Sequence, residues 1–151
     1  MSNTKVERVL LEDLRRFQPM LEDHYKEVPL ANEVAPMDID WHTYSLLEGA
    51  GHLLILVAID DGFIVGYLVA ISSPCLHHEG KMESRTDSFF VHPEHRGNGV
   101  FQLLLEEYNL HCKSGGVDHV YISSNKTFPV AGDILEKLGY VESETAYRLK
   151  E

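Results

Sequence analysis

At 151 residues the chain is long enough for one domain with a real core, and residues 1–151 read as a single unit. Its formal net charge of −11 repels a nucleic-acid backbone and favours cationic partners. The longest apolar run, Leu53 to Ile59, is too short to cross a bilayer, so neither a membrane nor a nucleic acid is an expected partner.

Met1-Ser2-Asn3-Thr4-Lys5 carries no apolar stretch, and no signal peptide is expected. Cys75 and Cys112 make no disulfide framework, which fits reduced thiols in a cytoplasmic protein. The nine histidines are scattered, none paired at the His-x-x-x-His spacing of a helical zinc site, and no metal is expected.

In chain order, Val6 to Val9 reads as a short strand. Leu10, Leu14, Phe17, Leu21 and Tyr25 then recur at helical spacing, predicting one helix that Pro19 kinks near its middle. Pro29 and Pro36 bracket a loop, and a second helix is predicted from Ile39 to Glu48, stopping before Gly49-Ala50-Gly51. Leu53–Ile59 and Phe63–Ser72 are strands joined through Asp61-Gly62, a tight-hairpin signal. Both are apolar on nearly every residue, which predicts burial on both sheet faces. Pro74 to Gly80 is a polar loop, and Met82 to His92 is the next strand.

Past Gly99, the residues Phe101, Leu104, Leu105, Tyr108 and Cys112 fall at steps of three and four, the buried stripe of a helix that Gly115-Gly116 ends. Val117 to Ser124 is a further strand. A strand–helix–strand unit needs a parallel crossover, so the sheet is mixed. Val130 to Leu138 forms the last helix, closed by Gly139, and Tyr140–Val141 with Thr145–Leu149 completes the sheet as a hairpin.

The most informative stretch is Phe89-Phe90-Val91-His92-Pro93-Glu94-His95-Arg96-Gly97-Asn98-Gly99-Val100, running directly into the helix. Two glycines let backbone N–H groups converge, and the helix N-terminus adds partial positive charge, a cradle for a diphosphate with Arg96 beside it. A dinucleotide fingerprint would need a third glycine where Gln102 stands, and no Gly-Lys-Ser/Thr ending marks a P-loop. An ordinary glycine-containing turn before a helix remains the plain alternative.

The segment Val91-His92-Pro93-Glu94-His95-Arg96-Gly97-Asn98-Gly99 resembles the acetyl-CoA pyrophosphate signature of the GNAT superfamily of acyl-CoA N-acyltransferases. Upstream, Ile59 to Tyr67 looks like the second hairpin of that family, and Leu135-Glu136-Lys137-Leu138-Gly139-Tyr140 looks like its EKLGF helix exit. The resemblance implies an α/β fold with a mixed sheet of six to seven strands flanked by about four helices. It further implies that Met82–His92 and Val117–Ser124 splay apart to admit the pantetheine arm. Main-chain groups of Phe89, Phe90 and Val91 would bond that arm, and the amides of Arg96, Gly97, Asn98, Gly99, Val100 and Phe101 would hold the diphosphate. Asn125 stands where polar contacts to pantetheine occur, although Phe128 rather than Ala131 occupies the usual spacing from it.

Acyl transfer to an amine requires a deprotonated nitrogen, because amines are mostly protonated at neutral pH. Asp87, four residues before Val91, resembles the acidic residue of GNAT polyamine acetyltransferases and is the expected catalytic carboxylate. By alternation it shares a face with Glu83, Arg85, Phe89 and Val91, which makes Glu83 the second candidate. His24 and Tyr25 from the first helix, with Trp41, are substrate-side candidates, and the loops Glu27 to Trp41 and Pro74 to Lys81 would shape the acceptor pocket. The family's frequent general-acid tyrosine is replaced by Leu135, leaving Tyr147, Tyr121 and Ser124 as donors.

The expected function is therefore an N-acetyltransferase taking acetyl-CoA and a small-molecule or peptide primary amine, with a homodimer compatible with the resemblance. The rival, favoured by Leu135 and Phe101, is a catalytically silent acyl-CoA-binding module. An interaction protein that binds no acyl-CoA stands third.

Overall fold

A computed structural model describes residues 3–27, 37–125, 129–130 and 132–150. The loop bracketed by Pro29 and Pro36, and the Phe128 and Ala131 positions, lie outside the described residues.

Strand β1 is Lys5–Arg8, followed by helices α1 (Leu11–Arg15), α2 (Gln18–Lys26) and α3 (Trp41–Gly49). Strands β2 (Leu53–Asp60), β3 (Phe63–Pro74) and β4 (Met82–Val91) come next, then a single 3₁₀ turn at Pro93–His95. Helix α4 (Val100–Ser114), strand β5 (His119–Tyr121) and helix α5 (Gly132–Lys137) complete the order. The sheet runs β1-β2-β3-β4-β5, antiparallel throughout except for the parallel β4–β5 pair. The mixed α/β class expected from sequence is what the chain adopts.

Several elements follow from local chemistry. Asp61 and Gly62 both take positive φ, 51° and 82°, as a two-residue turn matched to strand twist requires. Asp40 caps α3, its Oδ1 accepting from the Thr43 amide at 2.9 Å. The single kinked helix expected over Leu10 to Tyr25 is instead two. Arg16 caps α1, and Pro19 sits in the first turn of α2, where a missing N–H costs nothing.

The strand count is a correction: five among the described residues rather than six to seven. The expected hairpin of Tyr140–Val141 and Thr145–Leu149 forms no ladder, and Val141, Tyr147 and Leu149 are 85%, 93% and 90% exposed. The alternating pattern there promises a strand only if an edge accepts it. Strand β5 offers three residues, too few to hold a hairpin whose first strand would be two residues long.

Helices cover both faces of the sheet. On one face, Leu104, Leu105, Tyr108 and Cys112 of α4 pack on Leu56, Ala58, Leu68 and Val91. On the other, Leu11, Leu14 and Leu21 of α1 and α2 pack on Ile55, Val57, Tyr67 and Phe90. Each leucine, isoleucine, valine or phenylalanine among them, fully buried, contributes about 1.5–3 kcal/mol of transfer free energy. Gly66 permits the close approach of β3 to β4: a Cβ there would meet the Phe90 carbonyl oxygen at 2.8 Å.

Candidate functional site

Strand β4 changes register halfway. Val69 pairs with Ser88 and Ala70 pairs with Thr86, so Asp87 is left without a partner as a β-bulge. The bulge overturns the simple alternation expected for this strand. Phe89 and Val91 pack with the α4 face, whereas Phe90 packs with the α1–α3 face. Asp87 therefore does not share a face with Phe89 and Val91, because the extra residue resets which side each later side chain takes.

Past Arg85 the parallel ladder with β5 ends, its last pair being Arg85 and Tyr121. A side-chain bridge replaces it, the Ser123 amide donating to Thr86 Oγ1 at 2.9 Å. The opening is a cleft of about 550 Å³, walled by β4 from Thr86 to Val91 and by Ser123, Ser124 and Asn125. Phe101 contributes a half-buried ring set edge-on to Phe89 at 5.0 Å, so it packs inward and still walls the cleft.

At the N-terminus of α4, Gly97 and Gly99 hold φ of 85° and 82°, a conformation that a side chain would strain. The Leu103 amide bonds the Gly99 carbonyl at 3.0 Å. Among the described residues the amides of Gly97, Asn98, Gly99, Val100, Phe101 and Gln102 ahead of it have no backbone acceptor.

Arg96 is engaged otherwise than expected. Its Nη2 meets Glu27 Oε2 at 2.6 Å, and its Nε donates to the Val91 carbonyl at 2.8 Å. The guanidinium thus ties the end of α2 to the end of β4, and it occupies one of the main-chain acceptors assigned by resemblance to pantetheine.

A second cavity of about 400 Å³ lies beneath α1, α2 and α3. His24, Tyr25 and Trp41, the substrate-side candidates, all line it. His24 and Ser88 line both spaces, so the two meet at that point. His24 stacks on Phe90 at 4.8 Å, and its Nδ1 shares a hydrogen bond with the Tyr67 hydroxyl. Burial, opposed by Glu27 and assisted by Arg96, holds the imidazole below its ordinary pKa, so it is neutral at pH 7. Burial raises the Tyr67 hydroxyl, which stays protonated. Tyr44 donates its hydroxyl to Asp87 Oδ2; burial first, and that bond next, raise its pKa as well. Ser88 Oγ donates to the same oxygen at 3.3 Å.

The other candidates lie apart. Glu83 sits where β4 and β5 are still paired, 3.7 Å from Arg85, and lines neither cavity. Tyr147 is almost fully exposed and Tyr121 lies under the Arg85 guanidinium, 3.9 Å from ring centre to Cζ. Ser124 does line the cleft, its Oγ accepting from the Val130 amide at 2.9 Å. Leu135 is half-buried against the α4 face. Sequence reasoning missed Tyr67 and Ser88. Tyr67 had a signal, a lone hydroxyl inside the aliphatic run Val65 to Ala70; Ser88 had none before the bulge was known.

Among the described residues no group of three or more His, Cys, Asp or Glu side chains could hold a metal, and no helix is long and apolar enough to cross a membrane.

Residues 51–142 match the family model described as an acetyltransferase (GNAT) domain. No curated protein matches the sequence. Solved structures share the fold at low identity. A ribosomal-protein-alanine N-acetyltransferase from Brucella melitensis biovar Abortus 2308 superposes with a TM-score of 0.76 at 18% identity, over 98% of this chain and 97% of that one. A transcriptional regulator from Bacillus halodurans C-125 gives 0.76 at 17%, over 99% and 100%. An aminoglycoside acetyltransferase from an uncultured soil metagenomic sample, in complex with sisomicin, gives 0.73 at 18%, over 98% and 95%.

Proposed function

The chain belongs to the GNAT acetyltransferase family and is an N-acetyltransferase, and we propose that it transfers acetyl from acetyl-CoA to a primary amine held under α1–α3. The observation that carries this is the meeting of two spaces at His24 and Ser88. One is a slot between diverging strands; the other is a half-open cavity with mostly apolar walls.

The residues present fit acetyl-CoA. The row of amides from Gly97 to Gln102 at a helix N-terminus suits a diphosphate, and the cleft flanked by Phe89, Phe90 and Asn125 suits a linear amide-bearing arm. When bound, it would supply a thioester-activated acetyl group and a thiol leaving group.

The side chains divide the remaining work. Asp87, unpaired on its bulge and anchored by the Tyr44 hydroxyl, attracts the ammonium to the junction. His24, neutral at pH 7 and facing both spaces, accepts a proton from that ammonium, and Tyr67 fixes the ring through Nδ1. Ser124, one of the hydroxyl residues lining the cleft, donates to the leaving sulfur.

Calorimetric titration with acetyl-CoA and a free-thiol assay across primary amines test this. Micromolar binding and thiol release are expected, with His24→Gln lowering kcat about 100-fold. Asp87→Asn is expected to act mainly on KM for the amine. Binding without turnover of any amine would describe a silent acyl-CoA module instead, and a flat titration would end the proposal.

A further inference from the structure

Resting on that reading, we infer that the acceptor is a primary monoamine carried on a compact apolar or aromatic body, not a polyamine, an aminoglycoside or a lysine-rich peptide. The cavity under α1–α3 has walls of Leu11, Leu14, Leu21, Ile39, Trp41 and Val69. Apart from tyrosines, its ionisable lining residues among the described residues are His24, which burial keeps neutral at pH 7, and Asp38, which is exposed at the opening. Among the described residues the carboxylates near the inner end are Asp87, reached through the hydroxyls of Tyr44 and Ser88, and Glu27, which is taken up by Arg96.

That distribution suits a molecule with a single charge at one end. The ammonium lies at the junction beside Asp87 and Ser88, and the body fills the aliphatic and aromatic walls. A second ammonium midway along the molecule would leave water among methyl and methylene groups, with Asp38 lying only at the opening. A sugar ring bearing several hydroxyls would lose its hydration to mainly apolar walls, where the hydroxyls of Tyr44, Tyr67 and Ser88 are already engaged with Asp87 and His24. The volume of about 400 Å³ lies at the small end of ordinary ligand sites. The overall charge of −11 draws cations of every kind to the surface, so selection among them falls to this cavity.

The test compares kcat/KM, by thiol release from acetyl-CoA, for n-propyl- through n-pentylamine, 2-phenylethylamine and tryptamine against spermidine, kanamycin and a lysine peptide. Each added methylene is expected to raise kcat/KM about fourfold, and the arylethylamines to exceed the polycations at least tenfold. Trp41→Ala should remove at least tenfold of the arylethylamine advantage through KM, with the calorimetric affinity for acetyl-CoA unchanged. The alkylamine series needs no variant, so a misfolded Trp41→Ala leaves the test intact. A flat alkyl series, or faster turnover of spermidine, kanamycin or the peptide, overturns the inference while the acetyltransferase reading stands. Turnover of no amine also overturns it, and the titration then shows whether the cofactor reading fell with it.

Discussion

The two faces of the sheet are built from the same strands and differ in what they leave open. On the α4 face, Leu104, Leu105 and Tyr108 are fully excluded from solvent, and the Tyr108 hydroxyl donates to Ser84 Oγ at 2.9 Å. On the opposite face, α1 to α3 are short, and they border a half-open cavity lined by an imidazole and three tyrosines. The first face stores stability and the second spends some of it on a binding space. The sheet between them lets a change on either side be read separately.

The largest expected effect tests the closed face. Leu104→Ala removes a side chain with no exposure and is expected to cost about 2–5 kcal/mol in denaturant unfolding, while KM values measured below the new transition stay unchanged. A change in KM comparable to the loss of stability would show that the faces are coupled and break the distinction.

Gly66→Ala sharpens it, because this position belongs to the shared sheet. The new methyl would meet the Phe90 carbonyl at 2.8 Å and force β3 from β4 beside the cleft. A loss of about 1–3 kcal/mol is expected, this time with weakened acetyl-CoA binding by calorimetry. Stability loss alone, with binding intact, would place the cleft's geometry elsewhere than in this strand contact.

The smallest effect is a pH dependence confined to the open face. His24 has a folded pKa below its unfolded value near 6.5, so the unfolded chain takes up its proton first as pH falls. Its contribution thus destabilises the protein progressively below about pH 6.5 and is absent above it. Subtracting the His24→Gln stability curve from that of the parent should isolate this slope. A difference curve that is flat from pH 7.5 to 5 would mean that the imidazole is not buried as described.

How much of this was visible in the chain depends on the range of each interaction. The Asp61-Gly62 turn and the α4 stripe are written in neighbouring residues, and both were legible. The glycine turn at Gly97 to Gly99 ahead of α4 was legible for the same reason. Asp87 was singled out by position, but its surroundings were misread, since a bulge is decided by pairing with β3 and leaves no mark in β4 itself. The Arg96–Glu27 pair joins residues 69 apart, and no local pattern announces it. The terminal hairpin failed in the reverse sense: its alternation was real, and its partner edge was missing.

The unpaired residue in β4 has a consequence beyond the carboxylate it carries. A strand alternates sides at every step, so one supernumerary position works as a parity switch for all that follows. Ironing Asp87 into a regular ladder, with no residue removed, would send Phe89 and Val91 toward α1–α3 while turning Phe90 toward α4. The acid would remain, and the assignment of inside and outside along the rim where the two cavities meet would be lost.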